Sequence, residues 1–216
     1  MTAQVDDQML TADDLDLLQE VMNIAFGRAA ADLAEFINLF VVLSVPNIKL
    51  ISKDEIRPVL SDELGALHDK VSVVRQEFWG NISGSAVLLF PADTEHELVS
   101  VMGNSELDVE FDEISTSLAQ ETLMELGNIL IGACSGKIAE LLKTHISYSP
   151  PYAIVDEPLE EAVEQLGLHE SDQILVLKTN FTFEGRDLSG LMLISEQQDS
   201  FEWIKAALVM FMAEYE

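Results

Sequence analysis

The chain repeats itself. Glu20, Asn23, Gly27, Ala34 and Pro46 recur as Glu125, Asn128, Gly132, Ala139 and Pro151, each 105 positions further on and without a gap. Five identities at one offset make the repeat the governing constraint. Whatever the first half folds into, the second half folds into as well. The copies run from about 11 to 105 and from about 114 to 216, and residues 1–216 read as one domain built from both. Apolar residues make up 48% of the chain, enough for a sizeable shared interior, and charged residues only 23%, which argues against global disorder.

Each copy reads helix, strand, hairpin, helix. In the first, Thr11 is an N-cap with Asp14 three residues on, and Leu15, Leu18, Met22, Ala25, Ala29 and Leu33 recur at helical spacing as a buried stripe. In the second, Ser117 and Gln120 form a capping-box pattern, with Ser115 as an alternative cap. Both helices are expected to exceed 20 residues, ending near Asn38 and Lys143. Pro46 and Pro151 each precede a short apolar run and read as strand starts. Hairpins follow at Val71 to Trp79 with Ser83 to Phe90, and at Ile174 to Phe183 with Asp187 to Ser195. Closing helices are expected near Asp93 to Met102 and Gln197 to Ala213, and Glu106 to Glu113 joins the copies.

Acids outnumber bases by 39 to 11, a net charge of −28. Such a chain is repelled by phosphate backbones and anionic lipid, so neither nucleic acid nor membrane is an expected partner. An uncharged stretch such as Phe36 to Ile48 has 13 residues, too few to cross a bilayer. The N-terminus lacks a basic region followed by an apolar one, so no signal peptide is expected. One cysteine, Cys134, allows neither an internal disulfide nor a thiolate cage, and its position on the buried side of the second helix makes it a small core residue. A cytoplasmic location is the expectation. His68, His96, His145 and His169 are scattered and suggest no metal site, and no phosphate-cradling glycine loop or nucleophile elbow is present.

The repeated polar residues fall on one stripe. At about 100° per residue, Asp16, Glu20, Asn23 and Gly27 lie within about 60° of one another, outside the apolar face. Glu121, Glu125, Asn128 and Gly132 do the same in the second copy. Solubility alone does not call for this composition. Asparagine is a mediocre helix former, and glycine costs about 1 kcal/mol in a helix interior. Glycine admits a close neighbour, asparagine offers a donor and an acceptor, and glutamate offers charge. Two readings stand at this level: a surface used for recognition or chemistry, or identity by descent with each glycine packed against a neighbouring helix.

The spacing Asp16, three residues, Glu20, two residues, Asn23, 22 residues, Pro46 resembles the signature of the CheC/CheX/FliY phosphatases of bacterial chemotaxis. The run Asn23-Ile24-Ala25-Phe26-Gly27-Arg28-Ala29-Ala30 is similar to that family's helix, and the second copy fits through Glu125, Asn128 and Pro151. It departs at Glu121, where the family has Asp or Ser. Two motif copies resemble the CheC type. FliY-type members carry a further C-terminal domain, for which 216 residues leave no room.

The resemblance implies a pseudo-two-fold α/β (α+β) fold, with two long helices packed on a mainly antiparallel sheet. It implies hydrolysis of the aspartyl phosphate of a CheY-type response regulator, with a CheD-type protein as a further partner of some members. Glu20, Asn23, Glu125 and Asn128 would be the catalytic set, supported by Asp16, Gly27, Pro46, Glu121, Gly132 and Pro151. No intrinsic metal or cofactor is implied, because the regulator brings its own Mg²⁺. The asparagines would hold the attacking water and the glutamates would pair with the regulator's lysine, as positioning groups. Arg28 is a local base to offset the acidic chain. The first copy matches every motif position, so it is the expected principal site. A non-catalytic module that sequesters the phosphorylated regulator or a CheD-type partner is the alternative.

Overall fold

A computed structural model describes residues 10–37, 40–64, 70–92, 94, 97–99, 116–168, 173–183, 186–196 and 198–215. Helix α1 spans Ala12–Ile37 and starts at a complete capping box. The backbone N–H of Thr11 donates to the Asp14 carboxylate at 2.8 Å, and the Asp14 N–H donates back to the Thr11 hydroxyl at 3.2 Å. Strand β1 covers Val41–Ser52, and helix α2 covers Ile56–Leu64. Strands β2 (Lys70–Gly80) and β3 (Gly84–Pro91) form the first hairpin. The second half contains α3 (Thr116–Leu141), β4 (Ile146–Tyr148), β5 (Tyr152–Pro158), α4 (Leu159–Gln165), the hairpin β6 (Gln173–Phe183) and β7 (Arg186–Glu196), and α5 (Gln198–Tyr215).

The sheet order is β1-β6-β7-β3-β2, with β4 and β5 one after the other along the outer edge of β2. Every ladder is antiparallel. The arrangement reads the same from either edge. The β3–β7 pair marks the pseudo-two-fold, and each half lays its first strand on the other half's hairpin. Val41 pairs with Phe183 and Ser52 with Gln173 on one edge, and Arg75 pairs with Tyr152 on the other.

Both faces of the sheet are covered, so its central strands are nearly continuous apolar runs. Val74, Phe78, Leu88, Leu177 and Met192 pack toward α1, α3 and α5. The alternate residues Val73, Leu89, Val176 and Leu193 pack with Ile56 and Leu60 of the short helix α2, Ala162 of α4 and Leu166 just after it. The stripe expected on α1 is the buried one, with Leu15 half-buried at its end. Cys134 is fully enclosed, and burial pushes its thiol well above the ordinary range.

Two local expectations are corrected. Pro46 lies inside β1, which begins five residues earlier, at Val41. A bulge between Ser44 and Asn47 breaks the ladder at that point, and β1 is an edge strand, so a residue without an N–H is tolerated. Pro151 does precede a strand, standing directly before β5. Ser117 lies within the first turn of α3 and forms no box with Gln120, whose side-chain amide donates to the Ala153 carbonyl at 2.6 Å. That bond ties α3 to β5. The hairpins and the last helix lie where expected. The helix expected near Asp93 to Met102 lies mostly outside the described residues, with 94 and 97–99 helical, and the joining segment Glu106 to Glu113 lies wholly outside them.

Candidate active site

Helices α1 and α3 lie side by side on one face of the sheet, each 26 residues long. Asp32 and Lys137, 105 positions apart, form an ion pair at 2.9 Å. A contact between repeat-equivalent residues marks where two-fold-related helices cross. Asn23 and Asn128 are each nine residues before it, about 13 Å of helix. Helices related by a two-fold run in opposite directions through their crossing, so the two amides lie on opposite sides of it. The two stripes are therefore two separate candidate sites.

Asp16, Glu20, Asn23 and Gly27 are all exposed on α1, as are Glu121, Glu125 and Asn128 on α3, with Gly132 half-buried. Each stripe is thus assembled as its spacing requires. Pro151 is half-buried at the start of β5, and Pro46 stands at the bulge of β1.

The glycines bear on the two readings of the stripe. A Cβ built on Gly27 or on Gly132 meets no heavy atom within 4 Å. Neither glycine is needed for packing within the chain. Gly127 of α3 differs: a Cβ there would stand 2.5 Å from Cγ1 of Val74 on β2. Beyond Gly132 a groove of about 520 Å³ extends past Gly136 to Lys143, Thr144, His145 and Tyr148. Tyr148 in its lining has its hydroxyl 3.0 Å from that of Ser135, and burial raises the Tyr148 phenol above its ordinary range.

The two asparagines differ in their support. Oδ1 of Asn23 accepts a long 3.4 Å bond from Gln19 of its own helix. Oδ1 of Asn128 accepts a 2.9 Å bond from Nε2 of Gln76 on β2. Gln76 is 3% exposed, and its other N–H donates to the Ser149 carbonyl at 2.8 Å. Ser149 is itself fastened to β2: its N–H donates to the Glu77 carbonyl at 2.9 Å, and its hydroxyl accepts from the Glu77 N–H at 3.0 Å. Gln76 was not singled out from the sequence. The signal was present, since the inward-facing positions Val74, Gln76 and Phe78 place one amide in an apolar register.

These side chains offer carboxylates and amides on rigid helices, with no nucleophile among them. Such a surface can orient a bound group and a water. It defines a class: a pseudo-two-fold α/β domain that presents acid, amide and glycine twice on exposed helix faces. The CheC-like family model matches residues 118–155, the segment that holds Glu121, Glu125, Asn128, Gly132 and Pro151. The chain is 30% identical over 203 residues to the CheY-P phosphatase CheC of Bacillus subtilis, covering 91% of this chain and 94% of the relative. It belongs to the CheC-like family of chemotaxis proteins. Its fold is also that of Thermotoga maritima FliY, with a TM-score of 0.67 at 19% identity over 94% of this chain and 99% of that one. The FliM middle domain of H. pylori shares it too, with a TM-score of 0.56 at 13% identity over 92% and 99%. Among the described residues no helix is long and apolar enough to cross a membrane.

Proposed function

We propose that this chain is an aspartyl-phosphate phosphatase, acting in the cytoplasm on a CheY-type response regulator in chemotaxis signalling. The observation that carries the reading is the duplicated, solvent-facing asparagine one turn after an exposed glutamate, on a helix surface kept open by a glycine that the fold itself does not require. The relative's activity as a CheY-P phosphatase supports the same substrate.

The chemistry asks little of the partner protein. An acyl phosphate is already activated, and the regulator supplies Mg²⁺ and a lysine around it. What is missing is an in-line water. The amide of Asn23 or Asn128 enters the pocket, accepts a hydrogen bond from that water and donates one to a phosphoryl oxygen, holding the oxygen in line with phosphorus. The water oxygen bonds to phosphorus as the bond to the carboxylate oxygen breaks. Inorganic phosphate leaves, and the aspartate carboxylate is restored. Glu20 and Glu125 pair with the regulator's lysine and set the depth of insertion. The glycines let the regulator's backbone approach, and Arg28, exposed beside Gly27, offsets part of the chain's negative charge at short range.

The alternative, a module that sequesters the phosphorylated regulator or binds a CheD-type partner, shares the same surface. It is favoured by the open glycines, which serve docking whether or not chemistry follows. The test is phosphate release from phosphorylated CheY by wild type and by Asn23→Ala/Asn128→Ala. A loss of two or more powers of ten, with binding retained, is expected for removal of positioning groups. A double variant at the wild-type rate would sink the mechanism. A wild type that binds the regulator without speeding hydrolysis would favour the sequestering module.

A further inference from the structure

We infer that Gln76 is a positioning residue for Asn128, and that it makes the second copy the principal catalytic site. This rests on the phosphatase reading above. The amide orientations follow from chemistry. The Ser149 carbonyl can only accept, so the Gln76 atom 2.8 Å from it is Nε2. The same Nε2 lies 2.9 Å from Asn128, so the Asn128 atom facing it is the acceptor, Oδ1. With its oxygen pinned inward by a buried partner, the Asn128 amide directs its NH₂ away from the sheet, and one lone pair of Oδ1 stays open for a water. Both N–H groups of Gln76 are thus used, and its buried Oε1 is left without a partner.

Leaving a buried acceptor unpaired is costly. An apolar residue would fill the same inward position of β2 without that cost, as Val74 and Phe78 do beside it. The equivalent position beneath the first site holds a polar residue that satisfies itself within its own hairpin instead. Residue 179 of β6 stands where residue 76 stands in β2, the two 11-residue strands being offset by 103. Thr179 is fully buried, and its hydroxyl donates to the Gly190 carbonyl at 3.2 Å, within the hairpin. Among the described residues, the support given to Asn23 is Gln19 of its own helix. Motif identity alone ranks the first copy higher, because Glu121 departs from the pattern; support of the reacting amide ranks the second copy higher.

The experiment follows phosphate release from phosphorylated CheY. Gln76→Met keeps the side-chain volume and removes the amide. On the Asn23→Ala background, where only the second site remains, it is expected to lower kcat about tenfold or more with KM little changed. Combined with Asn128→Ala it is expected to add no further loss, and the rate retained there, with an unchanged melting temperature, reports an intact fold. Equal losses on both backgrounds, or none on Asn23→Ala, overturn the assignment. So does a larger loss from Asn23→Ala alone than from Asn128→Ala alone. If Asn23→Ala/Asn128→Ala keeps its activity, the phosphatase reading itself falls. If that variant is inactive while Gln76→Met is harmless on Asn23→Ala, only the role of Gln76 falls.

Discussion

Replacing Gly27 and Gly132 with alanine separates folding from recognition at the same two atoms. Both glycines lie inside 26-residue helices, neither has a positive φ, and an added methyl group meets nothing within 4 Å. The substitution therefore costs no packing and recovers the helix propensity that glycine gives up, about 1 kcal/mol at each site. The sites are on different helices and share no partner, so about 2 kcal/mol is expected for the pair. For a chain of this length that corresponds to a melting temperature higher by roughly 4 to 8 °C. Docking should move the other way. A methyl group stands where the regulator's backbone must come closest, so affinity for phosphorylated CheY is expected to fall several-fold. Thermal unfolding followed by circular dichroism reads the first quantity, and titration with the regulator reads the second. A lower melting temperature would mean that the glycines pack against something, and the argument from open space would be wrong. A stabilised variant with unchanged affinity would return the glycines to simple descent.

Glu20→Lys with Glu125→Lys should weaken regulator binding while stability changes by no more than about 0.5 kcal/mol, because both residues are exposed; unchanged affinity would remove the anchoring role. Gly127→Ala should destabilise by about 1–3 kcal/mol, since its Cβ would press on Cγ1 and Cβ of buried Val74 at 2.5 and 2.9 Å, and a melting curve like wild type's would refute that close approach. Thr11→Ala should cost about 1 kcal/mol of stability at neutral pH through loss of the α1 cap. The Thr11 hydroxyl is the main cause holding the Asp14 carboxyl below its ordinary value, so this contribution is complete above about pH 4 and is lost as pH falls through the depressed folded value. The gap in melting temperature between Thr11→Ala and wild type should accordingly narrow in acid, and a constant gap would count against the carboxylate's part in the cap.

The helices were the most legible part of the chain, because their signals are local. Thr11 with Asp14 marks the start of α1, and the apolar stripe from Leu18 to Leu33 gives its buried face. The candidate-site stripes were legible for the same reason, since residues three and four apart on a helix must share a face. Long-range choices were not legible. The repeat says that two hairpins form but not which hairpin receives β1, and the pairing of Val41 with Phe183 has no signature in either strand alone. Pro46 misled because its effect depends on an edge position and a bulge, both properties of the assembled sheet. Gln120 looked like a cap and serves instead as a tie to β5. The difference between Asn23 and Asn128 was hidden for the same reason: it arises from Gln76, a residue of the other repeat brought beneath α3 by the exchanged strands.

That exchange also sets a timetable for biosynthesis. Ser52 leaves the ribosome about 120 residues ahead of its ladder partner, Gln173. At roughly 5–20 residues per second, β1 waits on the order of ten seconds for its place in the sheet. During that interval Val41, Leu43 and Ile51, all buried in the finished protein, lie on a strand with no neighbour, the condition that invites pairing between nascent chains. The first repeat therefore cannot complete itself ahead of the second. Two halves made as separate polypeptides would each hold an empty strand position shaped for the other, and mixing them should regenerate the sheet.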